Sequence, residues 1–125
     1  MTPEEILAVD AKRNHPEGTD VRELITDIND EIRQGGELLQ HKNVLIVYRT
    51  VSPEVVEHHS FNADTAANLA EANKKLWGML KKAGAKQAYT TYTNPAISSL
   101  IEKEAKDLNI NITEADGVYT ATVEL

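Results

Sequence analysis

Apolar residues recur along this chain in two distinct periods. Over residues 21–34, Val21, Leu24, Ile25, Ile28 and Ile32 return at steps of three and four, the spacing that gathers side chains on one face of an α-helix. Asp20 and Glu23 supply a capping pair at its start, and Gly35-Gly36 stops it. A longer stripe, Ala66, Leu69, Asn73, Leu76, Trp77, Leu80 and Ala83, predicts a helix over 64–83, opened by the cap formers Asn62, Asp64 and Thr65 and closed by Gly84. Two further helices are predicted over 3–13 and 95–108. The first has Thr2 and Glu5 as a capping pair, Pro3 in its first turn and a narrow stripe of Ile6, Leu7 and Val9. The second follows Asn94-Pro95 and carries Ile97, Leu100, Ile101, Ala105 and Leu108. Between the first two helices, Asn14-His15-Pro16-Glu17-Gly18 breaks the period, because a proline disfavours the helical region for the residue before it.

The other period is extended. Residues 43–51 and 55–61 are dense in β-branched and aromatic side chains around Ser52-Pro53-Glu54, which predicts a hairpin. Its expected register sets Val51 opposite Val55, Arg49 opposite Glu57, Val47 opposite His59 and Leu45 opposite Phe61, with the Arg49–Glu57 charge pair and the Leu45–Phe61 apolar pair to fix it. A strand over 87–93 and a closing hairpin, 109–114 with 118–125 around Ala115-Asp116-Gly117, complete the set. The resulting order is ααββαβαββ, a single α+β domain over 1–125 with a helical part at 1–40 and a sheet-forming part at 43–125. Two strand–helix–strand crossovers imply a mixed five-stranded sheet with four helices. The two carboxy-terminal helices should cover one face of it, and the amino-terminal pair part of the other, since both the Val44, Ile46, Tyr48 set and the Leu45, Val47 set want burial. The predicted core contains Leu45, Val47, Phe61, Leu69, Leu76, Leu80, Leu100 and Ile101.

Composition narrows the chemistry. With no cysteine in 125 residues, disulfides, thiolate nucleophiles, iron–sulfur clusters and cysteine zinc sites are excluded. No apolar run approaches the roughly 18 residues of a membrane span, and Met1-Thr2-Pro3-Glu4-Glu5 is unlike a signal peptide, so a cytoplasmic, soluble protein is expected. The net charge is −7, and residues 1–42 hold ten acids against five bases. That balance disfavours nucleic acid and anionic membrane as partners. No dinucleotide fingerprint, phosphate-binding loop, zinc-protease, nucleophile-elbow or EF-hand motif is present, and no cofactor or metal is called for.

Three local groups carry candidate chemistry. In Glu57-His58-His59-Ser60 the histidines point to opposite faces of a strand, so they cannot share one ion, whereas Glu57 and His59 lie on the same side and form the best acid–base pair. At the carboxyl ends of the parallel strands, Asn62, Asp64, Thr93 and Asn94, with His41 entering the first strand and Glu114 and Asp116 from the last turn, are expected to form a polar edge suited to a phosphate-containing or nucleotide ligand. Plain helix capping accounts for part of that group. Lys74, Lys75, Lys81 and Lys82 line one side of the third helix and read as a solvated face.

Taken together, these features predict a small, acidic, non-catalytic binding module of the inhibitor, immunity or viral host-interaction kind. Its contact surface would be the acidic face Glu23, Asp27, Asp30 and Glu31, taking a basic protein partner. The alternative is a small ligand-binding domain or enzyme using the polar strand-end crevice. Oligomeric state stays open.

Overall fold

A computed structural model describes residues 1–14, 18 and 20–125. The expected break at His15-Pro16-Glu17 lies outside the described residues. Helix α1 (Pro3–Asn14) opens on the expected capping box, with the Glu5 N–H donating to Thr2 Oγ1 at 3.2 Å and the Thr2 N–H donating to Glu5 Oε1 at 3.0 Å. Helix α2 (Val21–Arg33) is capped by Asp20, which accepts from the Arg22 N–H at 2.9 Å. It ends where Gly35 takes φ +97° and the Gly36 N–H reaches the Glu31 carbonyl at 2.8 Å. A Cβ at Gly36 would stand 2.8 Å from that same oxygen, so this turn requires glycine.

The sheet has six strands rather than five. They are β1 (Glu37–His41), β2 (Val44–Ser52), β3 (Val55–Asn62), β4 (Gln87–Tyr92), β5 (Asn109–Ala115) and β6 (Val118–Glu124). The strand absent from the expectation is β1. Glu37-Leu38-Leu39-Gln40-His41 contains no β-branched residue, so nothing in its composition announces a strand. Tertiary pairing makes it one: it runs antiparallel to β2 from Glu37↔Tyr48 to His41↔Val44, across a two-residue turn in which Lys42 takes φ +52°.

The β2–β3 hairpin adopts the expected register at Arg49↔Glu57, Val47↔His59 and Leu45↔Phe61. Val51 does not face Val55; Ser52 does, because the register shifts between Thr50 and Ser52 and leaves Val51 exposed. Helix α3 (Ala66–Lys82) follows, with Thr65 as its cap. Helix α4 (Ala96–Glu104) stops four residues before the expected end at 108. The chain has to turn into β5 there, and Ala105 and Leu108 keep their places against the core from that turn rather than from a helix.

Strand order is β1-β2-β3-β4-β6-β5, and β3–β4 is the parallel neighbour pair. Strands β4 and β5 also run the same way, each antiparallel to β6, which lies between them. One apolar layer, including Val44, Ile46, Leu76, Trp77 and Ile101, fills the face under α3 and α4. A smaller one, Ile6, Leu7, Ile28 and Leu45, fills the face under α1 and α2. Of the predicted core, Leu45, Val47, Leu69, Leu76, Leu80 and Ile101 are buried, whereas Phe61 and Leu100 are half-buried because both border a cavity. Among the described residues, no helix is long and apolar enough to cross a membrane.

Candidate functional site

Strands β3 and β4 pair at three positions, Val55↔Gln87, Val56↔Ala88 and Glu57↔Tyr89, and then part. Beyond that point β3 continues to Asn62 on β2 alone, and β4 continues to Tyr92 on β6 alone. Each strand therefore presents a stretch of edge, with the alternating N–H and C=O groups that a sheet would otherwise pair. A cavity of about 640 Å³ occupies the split. Residues 58–62 of β3 and 90–94 at the end of β4 form its sides. Asp10, Arg13 and Asn14 of α1 close it on one face of the sheet, and Leu69, Asn73, Trp77, Ile97, Leu100 and Ile101 of α3 and α4 on the other.

Alternation along β3 sorts its side chains between those faces. His58 and Ser60 point toward α3. His58 is 2% exposed, accepts a long bond from the Trp77 indole N–H at 3.4 Å, and meets that ring edge-on with centroids 6.3 Å apart. Burial, helped by the neighbouring His59 and opposed by Glu57, brings the His58 pKa down to about 4, so the ring is neutral. Ser60 Oγ donates to Asn73 Oδ1 at 3.3 Å.

Glu57 and His59 point the other way and hold each other. His59 Nε2 lies 2.7 Å from Glu57 Oε1, and the Tyr89 hydroxyl donates to Glu57 Oε2 at 2.8 Å. Burial works to raise the Glu57 pKa, but the bonds from Tyr89 and His59 and the nearby charges of His59 and Arg49 outweigh it and hold the carboxyl below its ordinary value. An ionised carboxylate only accepts, so His59 Nε2 carries the proton of that bond and Nδ1 is the ring's second position. Glu31 of α2 brings a second carboxylate, and ligand atoms of Glu31, Glu57 and His59 lie within 4.8 Å of one another. For a cation to be held by His59 Nε2 there, that nitrogen would have to give up the proton it shares with Glu57. As built, the group orients an imidazole.

The far end of the split is the turn from β3 into α3. Asp64 Oδ1 accepts from the Thr65 N–H and from Asn68 Nδ2, and its Oδ2 accepts from the Asn43 N–H. The Asn68 amide, with the N–H groups of Thr65 and Asn43, holds this carboxyl below its ordinary value. Arg13 Nη1 donates to the carbonyls of Asn62 and Asp64 at 3.3 and 3.0 Å. Asp10 Oδ1 accepts from the Asn62 N–H at 2.9 Å.

Of the residues singled out in the sequence, His59, Asn62, Thr93 and Asn94 line the cavity, and Glu57 stands behind His59. Asp64 braces the turn rather than facing the cavity. His41 is drawn away to Glu71, 3.5 Å distant on α3, because β1 is the outer strand of the sheet and β2 separates it from β3. Glu114 and Asp116 sit at the β5–β6 turn and do not line the cavity. Asp10 and Arg13 were not legible as site residues. The available signal was Asp10 itself, an acid placed one turn after Ile6 on a buried helix face.

No protein-family model matches the sequence, and no curated protein matches it. Solved structures do match in fold. A ribosomal-protein-alanine N-acetyltransferase from Brucella melitensis aligns with TM-score 0.61 at 12% identity, covering 97% of this chain and 93% of that one. A Bacillus subtilis acetyltransferase in complex with CoA aligns with TM-score 0.57 at 16% identity, over 100% of this chain and 94% of that one. An acetyltransferase of the GNAT family from Bacillus anthracis aligns with TM-score 0.51 at 16% identity, over 97% and 85%. The likeness is one of fold.

That fold corrects the expectation of a non-catalytic inhibitor, immunity or host-interaction module acting on a basic protein partner. The solved structures that share it are acetyltransferases, one of them in complex with CoA, and of the acidic face Glu23, Asp27 and Asp30 are exposed while Glu31 is half-buried. Asp30 is paired with Arg33 at 2.7 Å, Asp20 with Arg22 at 3.2 Å, and Glu31 turns toward Glu57 and His59. The charge that implied a partner is partly answered within α2 and its cap.

Proposed function

We propose that this protein is an acyltransferase that uses a coenzyme A thioester as donor and an amine as acceptor, with the arm of the donor lying in the split between β3 and β4. The observation that carries this reading is the split itself. Two parted strand edges offer main-chain donors and acceptors to an extended chain of amides, and the arm of coenzyme A is a slim chain with two amide groups. Its fold neighbours include an acetyltransferase in complex with CoA.

The fit is good along the arm and mixed at the diphosphate end. The first amides of α3 have no intrahelical partners and the Arg13 guanidinium lies beside them, which favours an anion. The Asp64 carboxylate at the same turn opposes one. When bound, the thioester supplies an activated acyl carbonyl whose C–S bond is exchanged for a C–N bond with the amine, the sulfur leaving as thiol.

His59 is the proton acceptor for the amine. Its Nε2 proton is tied to Glu57, which leaves Nδ1 as the lone pair, and the imidazolium formed on protonation is stabilised by that carboxylate. Tyr89 keeps Glu57 ionised and in place. Both groups stand beside the point where the strands part, which is where the reactive end of an arm entering from the Asn62–Asp64 turn comes to rest.

The experiment is a thermal-shift titration with coenzyme A and acetyl-coenzyme A, followed by release of free thiol from acetyl-coenzyme A in the presence of a panel of primary amines. The expected result is a raised melting temperature and amine-dependent thiol release that falls about 10²-fold or more in His59→Gln. No shift at millimolar ligand and no release with any amine would overturn the reading.

A further inference from the structure

His58 is a residue the proposed proton transfer does not use, and its geometry is specific. It sits one residue past the last β3–β4 pair, on the α3 side of the sheet. Continuing the parallel register would set it against Thr90, and both border the cavity. The imidazole is 2% exposed, and its Nδ1 is buried with no hydrogen-bond partner. Trp77 decides which nitrogen carries the proton. An indole N–H only donates, so the Nε2 that receives it at 3.4 Å must be bare, and the proton of the neutral ring is on Nδ1. The edge-on packing of the two rings resists a flip that would exchange the nitrogens.

A buried N–H without an acceptor is costly, and each one in a folded protein calls for an explanation, a partner that binds there among them. His58 is among the residues that line the cavity, and Nδ1 is the ring nitrogen left without a partner. From these observations we infer that His58 is a fixed, neutral hydrogen-bond donor, through Nδ1–H, to the acyl carbonyl of a thioester seated between β3 and β4. The inference rests on the acyltransferase reading and adds to it the group that answers charge developing on the carbonyl oxygen. Neutrality matters to the role. A ring with its ordinary basicity would be partly charged near pH 6.5 and would repel a cationic amine, whereas burial keeps this one uncharged at neutral pH.

The test uses the full chain labelled with ¹⁵N at histidine. In the free protein the His58 signals should show a protonated Nδ1 and an unprotonated Nε2, unchanged between pH 5.5 and 8. Acetyl-coenzyme A should move the Nδ1 signal, while S-ethyl-coenzyme A, which lacks the carbonyl, should not. His58→Phe should lower kcat about 10²-fold with the amine KM unchanged, and His58→Gln, which restores an N–H, should recover part of it. Should the phenylalanine variant fail to fold, the wild-type spectra decide alone.

If acetyl-coenzyme A raises the melting temperature but leaves the His58 signals where they were, this inference falls and the acyltransferase reading stands. If no coenzyme A ligand raises the melting temperature or moves any resonance, both fall.

Discussion

Glu104 shows how one side chain sets the pH response of the fold. It closes the last turn of α4 at 8% exposure, with both carboxylate oxygens buried. Burial, opposed by the Lys74 charge and the Asn73 amide, pushes its pKa from the ordinary 4.5 up to about 7. The folded state therefore holds this proton more tightly than the unfolded chain does, and the stability that protonation contributes is lost as pH rises from about 4.5 toward 7. Glu104→Gln should flatten that loss, stabilising the protein by on the order of 1–3 kcal/mol at pH 8 with little change at pH 4.5, as read from urea midpoints at the two values. Residues of this kind were not legible in the sequence, where Glu104 looks like one more acid near a helix end. Glu57 and His59 were legible, because strand alternation alone puts them on one side. Glu31 was misassigned: helical spacing placed it with exposed acids, and only the packing of α2 on the sheet turns it inward.

Among the elements, the helices and the β2–β3 hairpin follow from sequence because their signals are local. Spacing and caps define α1, α2 and α3, and the Arg49↔Glu57 pair fixes a register that the structure keeps. Strand β1 depends instead on a neighbour it pairs with, and the end of α4 on where the following strand must begin; neither cause is local. The cap of α3 gives a direct check. Thr65 Oγ1 accepts from the Asn68 N–H at 3.2 Å, and Thr65→Ala should cost about 1 kcal/mol in chemical denaturation. Arg13 tests the other end of the site, since it is the cation that α1 lends to the β3–α3 turn. Arg13→Gln should weaken coenzyme A binding about tenfold in calorimetric titration. It should leave binding of an acyl-pantetheine without phosphates unchanged, because that ligand offers the guanidinium no anion.

Across the whole molecule, three residue pairs join the β1–β2–β3 half of the sheet to the β4–β6–β5 half. A ligand that pairs with both parted edges would supply the missing rungs, and amide hydrogen exchange in 58–62 and 90–92 should slow when acetyl-coenzyme A is present. Unaltered exchange in both segments alongside a raised melting temperature would put the ligand elsewhere. The depth of the split has a consequence of another order. Its edges lie between helical layers, α1 on one side and α3 with α4 on the other. A peptide strand carries side chains alternately up and down, and each would have to be housed between sheet and helix, as those of β3 and β4 already are. An unbranched chain of amides makes no such demand, so thickness favours it over a polypeptide edge in competition for the split.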